Sequence, residues 1–421
     1  MIIASKTDAK MNDSRSLSSG PVDRPSGTSG HLSGAGLVPA LLRFAAATAA
    51  GNLDVGASGI HWDGVTDRQV QDVLDAGLGP LLFHATRESQ GAVPDIWRDA
   101  LHAEDLTARV RHGNLCDAML EILDACNAAG VPVTLLKGIS IADQCYPLAH
   151  LRPMGDIDIL VSQEHCIWIE EALLHRGYEP KAGYVADAGE PHRAPLLDPK
   201  RGVWVEAHTA LFPAGDRLVT DSLFSAAQIA REEVASTFHG RPVRRLSREM
   251  QLAYIASYWI RDLSRNPFHP SFVTPLVDAI LLLEAAGPAP DWDRILACLD
   301  NEMATASLHV MLSYISSRGL ASSISPIVSK LASRQHIVGA PERRMVMSMI
   351  NANLVGGRPF LGRFGIRHPM IARSIFFSLL EPGSRVGKLL ALPWNVAFPP
   401  WLADRYTLRY HADRVRRFLR R

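Results

Sequence analysis

The six residues Asp156-Ile157-Asp158-Ile159-Leu160-Val161 constrain this chain more than any other stretch. Acids and branched apolar residues alternate there as in a half-buried strand, so Asp156 and Asp158 share one face while Ile157, Ile159 and Val161 occupy the other. Two carboxylates at that spacing repel, and on a half-buried strand they are costly unless a cation lies between them. Hard oxygen ligands suit Mg2+ or Mn2+. An isolated Asp-x-Asp also recurs by chance in turns and exposed strands, so its meaning rests on its surroundings.

Those surroundings are ordered. Upstream, VPVTLL is a short β-branched and apolar run suited to a buried strand, and GISIADQCYPL resumes helical spacing. Lys137-Gly138-Ile139-Ser140 therefore joins a strand to a helix start, where a glycine lets backbone N–H groups approach an anion and the helix dipole favours negative charge. Ser140 adds a hydroxyl donor, and Lys137 and Arg152 offer charge-assisted bonds to phosphate oxygens; the plainer alternative makes both cations solvated surface charges and Gly138 an ordinary turn. Downstream, SQEHCIWIEEALLHRG reads as a helix from an N-cap at Ser162 to a stop at Gly177. APLLD and GVWVEAH, separated by PKR, read as an antiparallel strand pair. Trp204, Glu206 and His208 share a face of the second strand, which makes Glu206 a candidate third carboxylate. His208 then orients that carboxylate, touches phosphate or fills a polar gap. His192 either enters the same cleft or remains an exposed loop residue, and Tyr146 reads as a packing residue with a nucleotide contact as the alternative.

A chain of 421 residues exceeds the size at which one core usually keeps growing, so two or three domains are expected. Residues 1–35 are rich in Ser, Gly, Asp and Pro and read as a disordered leader. Helical patterns fill 36–130, the order strand, helix, strand, helix, hairpin fills 131–215, and helical patterns return over 216–421. The expected fold class is α+β, a small mixed sheet flanked by N- and C-terminal helical regions. A formal net charge of +1 gives no overall pull toward nucleic acid, but Phe360–Arg421 carries twelve Lys or Arg against three acids. Such a basic end meets phosphate, an anionic membrane surface or an acidic partner, or is simply a solvated helix face. The five cysteines show no paired short spacing and read as reduced core residues, with no zinc pattern. The opening residues do not resemble a signal peptide, and no uninterrupted apolar run of about 18 residues occurs. A cytoplasmic protein without a transmembrane span is expected, with peripheral membrane contact left open.

The string LLKGISIADQCYPLAHLRPMGDIDILV, followed by VEAH, resembles the polymerase-β-like nucleotidyltransferase superfamily, above all its bacterial branch labelled uncharacterised nucleotidyltransferase. Lys137-Gly138, Tyr146-Pro147, Arg152, Asp156-Ile157-Asp158 and Glu206-Ala207-His208 occupy the places of that branch's recurring motifs, over roughly a fifth of the chain. One departure is that Gly138 is followed by Ile139 and then Ser140, where many members carry Gly-Ser or Gly-Gly. The resemblance implies attack by an acceptor hydroxyl on the α-phosphate of a nucleoside triphosphate (NTP), with release of pyrophosphate. Asp156 and Asp158 would hold one metal, Mg2+ or Mn2+, and Glu206 would share a second or act as general base. The acceptor stays open among a small molecule, a saccharide, a protein hydroxyl and RNA, with the weak overall charge counting against nucleic acid. Two other readings exist: a glycosyltransferase using Asp-x-Asp with a sugar nucleotide, against which only one strand precedes the acids, and a non-catalytic nucleotide- or partner-binding module.

Overall fold

The computed structural model describes residues 37–50, 62, 64–88, 93–184, 191–213, 216, 218–265, 273–285, 289–321, 324–340, 342–344, 346–347, 378 and 384–397. The expected leader and most of the basic end lie outside the described residues. Among those described, seven strands form one mixed sheet with helices packed on both faces, an α+β arrangement.

The alternation in β2 (Asp156–Leu160) places that strand at the sheet's centre, because both of its faces have work to do. It pairs in parallel with β5 (Val203–His208) and antiparallel with β1 (Thr134–Leu135). β4 (Leu196–Asp198) and β3 (Glu179–Pro180) continue beyond β5, and β7 (Arg241–Leu246) and β6 (Glu233–Phe238) continue beyond β1. Ile157, Ile159, Val203 and Val205 enter one apolar core with Leu115, Met119 and Ile122 of α4 (Asp95–Ala128) and Leu173 of α6 (Gln163–His175). At 34 residues α4 is about 50 Å long and crosses the sheet. It stops at Gly130, whose φ of 70° a side chain would resist.

The opposite face meets a second core. Leu160 of β2 and Ile141 of α5 (Lys137–Cys145) join Leu41 of α1 (Leu37–Ala49), Trp259 of α8 (Arg248–Arg265) and Ile280 of α9 (Thr274–Glu284). α11 (Glu302–Ser317) is the innermost helix, with every residue from Ala304 to Ile315 buried. Side-chain caps set several helix starts, as the sequence signals require: Thr66, with Gln69 in a capping box, for α2 (Asp67–Asp75), Ser162 for α6, Ser225 for α7 (Ala226–Glu232), Asp291 for α10 (Trp292–Cys298) and Asn301 for α11. α3 (Gly79–Glu88), α12 (Ser325–Arg334) and α13 (Arg385–Ala397) complete the described helices named here. No described helix is long and apolar enough to cross a membrane.

The β6–β7 hairpin lies past residue 215, in the stretch read from sequence as helical. Its turn is His239-Gly240 with φ of 45° and 80°, positive at both central positions as a type I′ turn requires. Three arginines and Pro242 disguise β7 as surface loop. Arg245 is nonetheless fully buried, because its guanidinium donates to Asp143 Oδ2 (2.5 Å), the Ser140 carbonyl (2.7 Å), Ser236 Oγ (3.0 Å) and the Thr237 carbonyl (3.1 Å).

A second buried arginine ties the sheet to the helical region. Asp278, an acid inside the apolar α9 sequence TPLVDAILLLE, accepts from Arg152 Nε (2.9 Å) and Nη2 (2.7 Å) and from the Tyr146 hydroxyl (2.8 Å). Both charged side chains are nearly buried, at 11% and 2% exposure. Replacing Asp278 by Ala leaves the Arg152 charge without its partner, so we expect a loss of about 3–5 kcal/mol in chemical denaturation. A loss below about 1 kcal/mol would contradict the clamp.

Candidate active site

The parallel register of β2 and β5 sets Asp158 beside Glu206 and Asp156 beside Trp204. Partners across a ladder share a face, so Asp156, Asp158, Trp204, Glu206 and His208 all project from the sheet face opposite α4. Asp158 is buried, and its Oδ1 accepts from Lys137 Nζ at 2.8 Å and from His208 Nε2 at 2.7 Å. His208 Nε2 also lies 3.6 Å from Glu206 Oε2. Asp158, Glu206 and His208 each bring one ligand atom to within 4.8 Å of the others, a spacing that can hold a metal ion.

Lys137 reaches this point from an uncommon backbone conformation. It is the first residue of α5, and its φ of 42° lies in the left-handed region, a cost of about 1–3 kcal/mol that the surrounding contacts sustain. Its ammonium also sits 4.8 Å from the centre of the Tyr258 ring. Burial would depress its pKa, but Tyr254, Asp158 and Tyr258 outweigh burial and hold it well above the ordinary lysine value.

The two strand acids are driven apart in the same way. Burial alone would raise the Asp158 carboxyl, but the Lys137 charge and the His208 hydrogen bond override it and keep that group far below the carboxylate range. Asp156 stands at the open end of β2 with its residue exposed. Loss of surrounding water, followed by the charges of Asp158 and Glu206, nevertheless pushes its carboxyl up to about 6, against the pull of Lys137 and Arg152.

Of the residues expected to bind phosphate, only Lys137 stands against the carboxylates. Arg152 is committed to Asp278 and Tyr146. Gly138 makes room for that arginine: a Cβ there would lie 2.6 Å from Arg152 Nη1 and 3.0 Å from the Met154 side chain. Ser140 is 1% exposed and has its carbonyl and hydroxyl 2.7 and 3.5 Å from Arg245 Nη1. These two side chains are therefore engaged in holding α5 in place. His192 is brought to the site: it bridges to His208 across the sheet edge, with ring centres 5.1 Å apart, and its Nδ1 donates to the Arg193 carbonyl at 2.9 Å. Tyr146 packs, as read from sequence.

Sequence reading missed the back wall. Tyr254 and Tyr258 lie one turn apart on α8, a Tyr-x-x-x-Tyr spacing that marks one helix face, and both flank Lys137. Asp278 had a signal too, since an acid within an apolar helix needs a buried partner. Trp204 was placed on the right face but given no role; it is half-buried, in register with Asp156, with Lys181 Nζ 5.9 Å from its ring centre.

The donor set fits a hard divalent cation: two carboxylates and one imidazole converge, with Asp156 on the same strand face. Two buried polar atoms nearby, His208 Nδ1 and the Tyr254 hydroxyl, have no hydrogen-bond partner among the described residues, as in a site built to take more than side chains. The raised Asp156 carboxyl gives a pH test. Between the ordinary carboxylate value of 3.8 and about 6, the folded protein keeps a proton that the unfolded chain releases, so this group costs stability as pH rises through that window. Chelator-treated Asp156→Asn should therefore melt higher than the parent at pH above about 7, with the difference gone near pH 4. Equal melting at the higher pH would contradict the crowding of acids.

Residues 67–318, more than half of the chain, match the family described as uncharacterised nucleotidyltransferase. The matched span runs from α2 through α11 and takes in the whole sheet, the carboxylates, Lys137, the two α8 tyrosines and Asp278. A comparison with individual curated proteins returns no match. The in-register acids, the lysine that faces them and a match of this extent agree, and the chain belongs to the uncharacterised nucleotidyltransferase family.

Proposed function

We propose that the chain moves a nucleoside monophosphate from an NTP to an acceptor hydroxyl, in a reaction dependent on Mg2+ or Mn2+. The observation that carries this reading is the in-register pair Asp158 and Glu206 on adjacent parallel strands, with Asp156 on the same face and Lys137 against Asp158. A bound divalent cation polarises phosphoryl oxygens and lowers the pKa of an attacking hydroxyl. Asp156 and Asp158 are the residues that would hold it, with Glu206 beside Asp158 on the adjacent strand.

The chain's own groups divide the remaining tasks. Lys137 is charged, and its ammonium is the cation best placed to receive triphosphate oxygens when Asp158 takes a new partner. Its strained backbone and the Tyr258 ring keep it aimed at the acids. His208 fixes the Asp158 carboxylate through Nε2. Glu206 is the more open of the in-register acids, with a side chain 25% exposed against 6% for Asp158, and so is the better placed to take the acceptor's proton. The new bond joins the acceptor oxygen to the α-phosphorus, the bond from that phosphorus to the bridging oxygen breaks, and pyrophosphate leaves. Trp204 offers an aromatic surface beside Asp156 for a base. The acceptor is a hydroxyl of a small molecule, a saccharide or a protein.

Purified protein incubated with each labelled NTP and Mn2+ or Mg2+ should release pyrophosphate, and the release should fall to background in the double variant Asp156→Ala, Asp158→Ala. Equal release by parent and variant would overturn the reading.

A further inference from the structure

One face of α8 runs from beside the Lys137–Asp158 pair toward the surface. Tyr254, Tyr258 and Arg261 follow one another at i, i+4 and i+7, and the face opens in that order: Tyr254 is 2% exposed, whereas Tyr258 and Arg261 are partly exposed. Phe212, just past the end of β5, touches both ends of this stripe, with its ring centre 5.4 Å from that of Tyr254 and 5.7 Å from Arg261 Cζ. The rings of Phe224 and Tyr258, each 6.2 Å from that of Tyr254, complete an aromatic surround that fixes the direction of the Tyr254 side chain.

The Tyr254 hydroxyl is the polar tip of that fixed ring, and among the described residues it meets no hydrogen-bond partner. A buried hydroxyl left unpaired costs stability, and a phenylalanine would fill nearly the same space without that cost. The surroundings say what the hydroxyl is kept for. Lys137 and Arg261 both favour negative charge at this point, while the nearby acid, Asp158, has its Oδ1 already taken by Lys137 and His208. Burial keeps the hydroxyl protonated, so it acts as a donor. A buried donor beside two cations suits an oxygen that brings its own negative charge.

We propose that the Tyr254 hydroxyl donates a hydrogen bond to a non-bridging oxygen of the nucleotide's triphosphate, which makes Tyr254 a binding residue that works beside Lys137. This rests on the nucleotidyl-transfer reading of the same site and adds to it a contact from the helical region. A hydrogen bond to an anionic oxygen is of the stronger, charge-assisted kind. Because the ring is already held, little ordering is needed when the nucleotide arrives.

Isothermal titration calorimetry of the full chain with the α,β-methylene analogues of ATP, GTP, CTP and UTP, in the presence of Mg2+, tests this. The parent should bind at least one analogue, and Tyr254→Phe should bind that analogue roughly tenfold more weakly. The variant should keep the parent's affinity for Mn2+ alone to within about twofold and melt no lower than the parent, since it loses only an unpaired hydroxyl. Equal analogue affinity in the two proteins would overturn the contact and leave the transferase reading standing. A variant that melts lower and binds the analogue as the parent does would assign the hydroxyl to the fold, and a matching loss of Mn2+ affinity would assign it to the metal site; either result would overturn the proposal. A parent that binds none of the analogues would overturn the transferase reading itself, and this contact with it.

Discussion

A single ion pair near the middle of the molecule, Lys137 with Asp158, organises everything around it. A lone carboxylate with 5% exposure in the central strand of a sheet would not stay charged. Lys137 prevents its neutralisation at the cost of a left-handed backbone, and His208 adds a second donor to the same oxygen. With Asp158 held ionised, its neighbour Asp156, short of surrounding water and then repelled by the charges of Asp158 and Glu206, has its carboxyl pushed up to about 6. The site thus holds one committed anion, one acid near the point of ionisation and one more open acid, which is how clustered carboxylates receive a divalent cation.

The fold can be understood as the support for that pair. β2 needs an apolar face against α4 and α6 and a polar face toward α8, and the strict alternation of Asp and Ile supplies both. The parallel pairing with β5 brings Glu206 level with Asp158; a slip by one residue would put Val205 there and send Glu206 to the apolar side. Two further buried arginines fix the geometry from behind. Arg152 and Asp278 tie the approach to β2 onto α9, and Arg245 and Asp143 tie α5 onto the β6–β7 hairpin, so the start of α5 that carries Lys137 is braced from two sides.

Much of this was legible in the sequence because it followed local rules. The alternation in DIDILV, the Ser162 cap, the Gly177 stop and the strand VWVEAH all report on residues close in sequence. Arg152 and Ser140 were read as phosphate contacts because nothing local shows that their partners are Asp278 and Arg245, each more than 100 residues away. Gly138 had a sequence signal, but its cause is the close approach of Arg152. The β6–β7 hairpin was missed since β7 owes its place in the sheet to a buried arginine rather than to apolar alternation. The tyrosine wall on α8 came into view only when the chain was folded.

We propose that the acids of β2 and β5 hold a divalent cation together with a triphosphate. Pulsed electron paramagnetic resonance of Mn2+ bound to the protein with a triphosphate that cannot be cleaved at the α-phosphorus measures this directly, because phosphorus bonded through oxygen to the metal gives a resolved coupling. The parent protein is expected to retain Mn2+ with phosphorus coupling, and Asp158→Ala and Glu206→Ala to lose the protein-bound signal. The same protein-bound signal in the parent and in both variants would contradict the account.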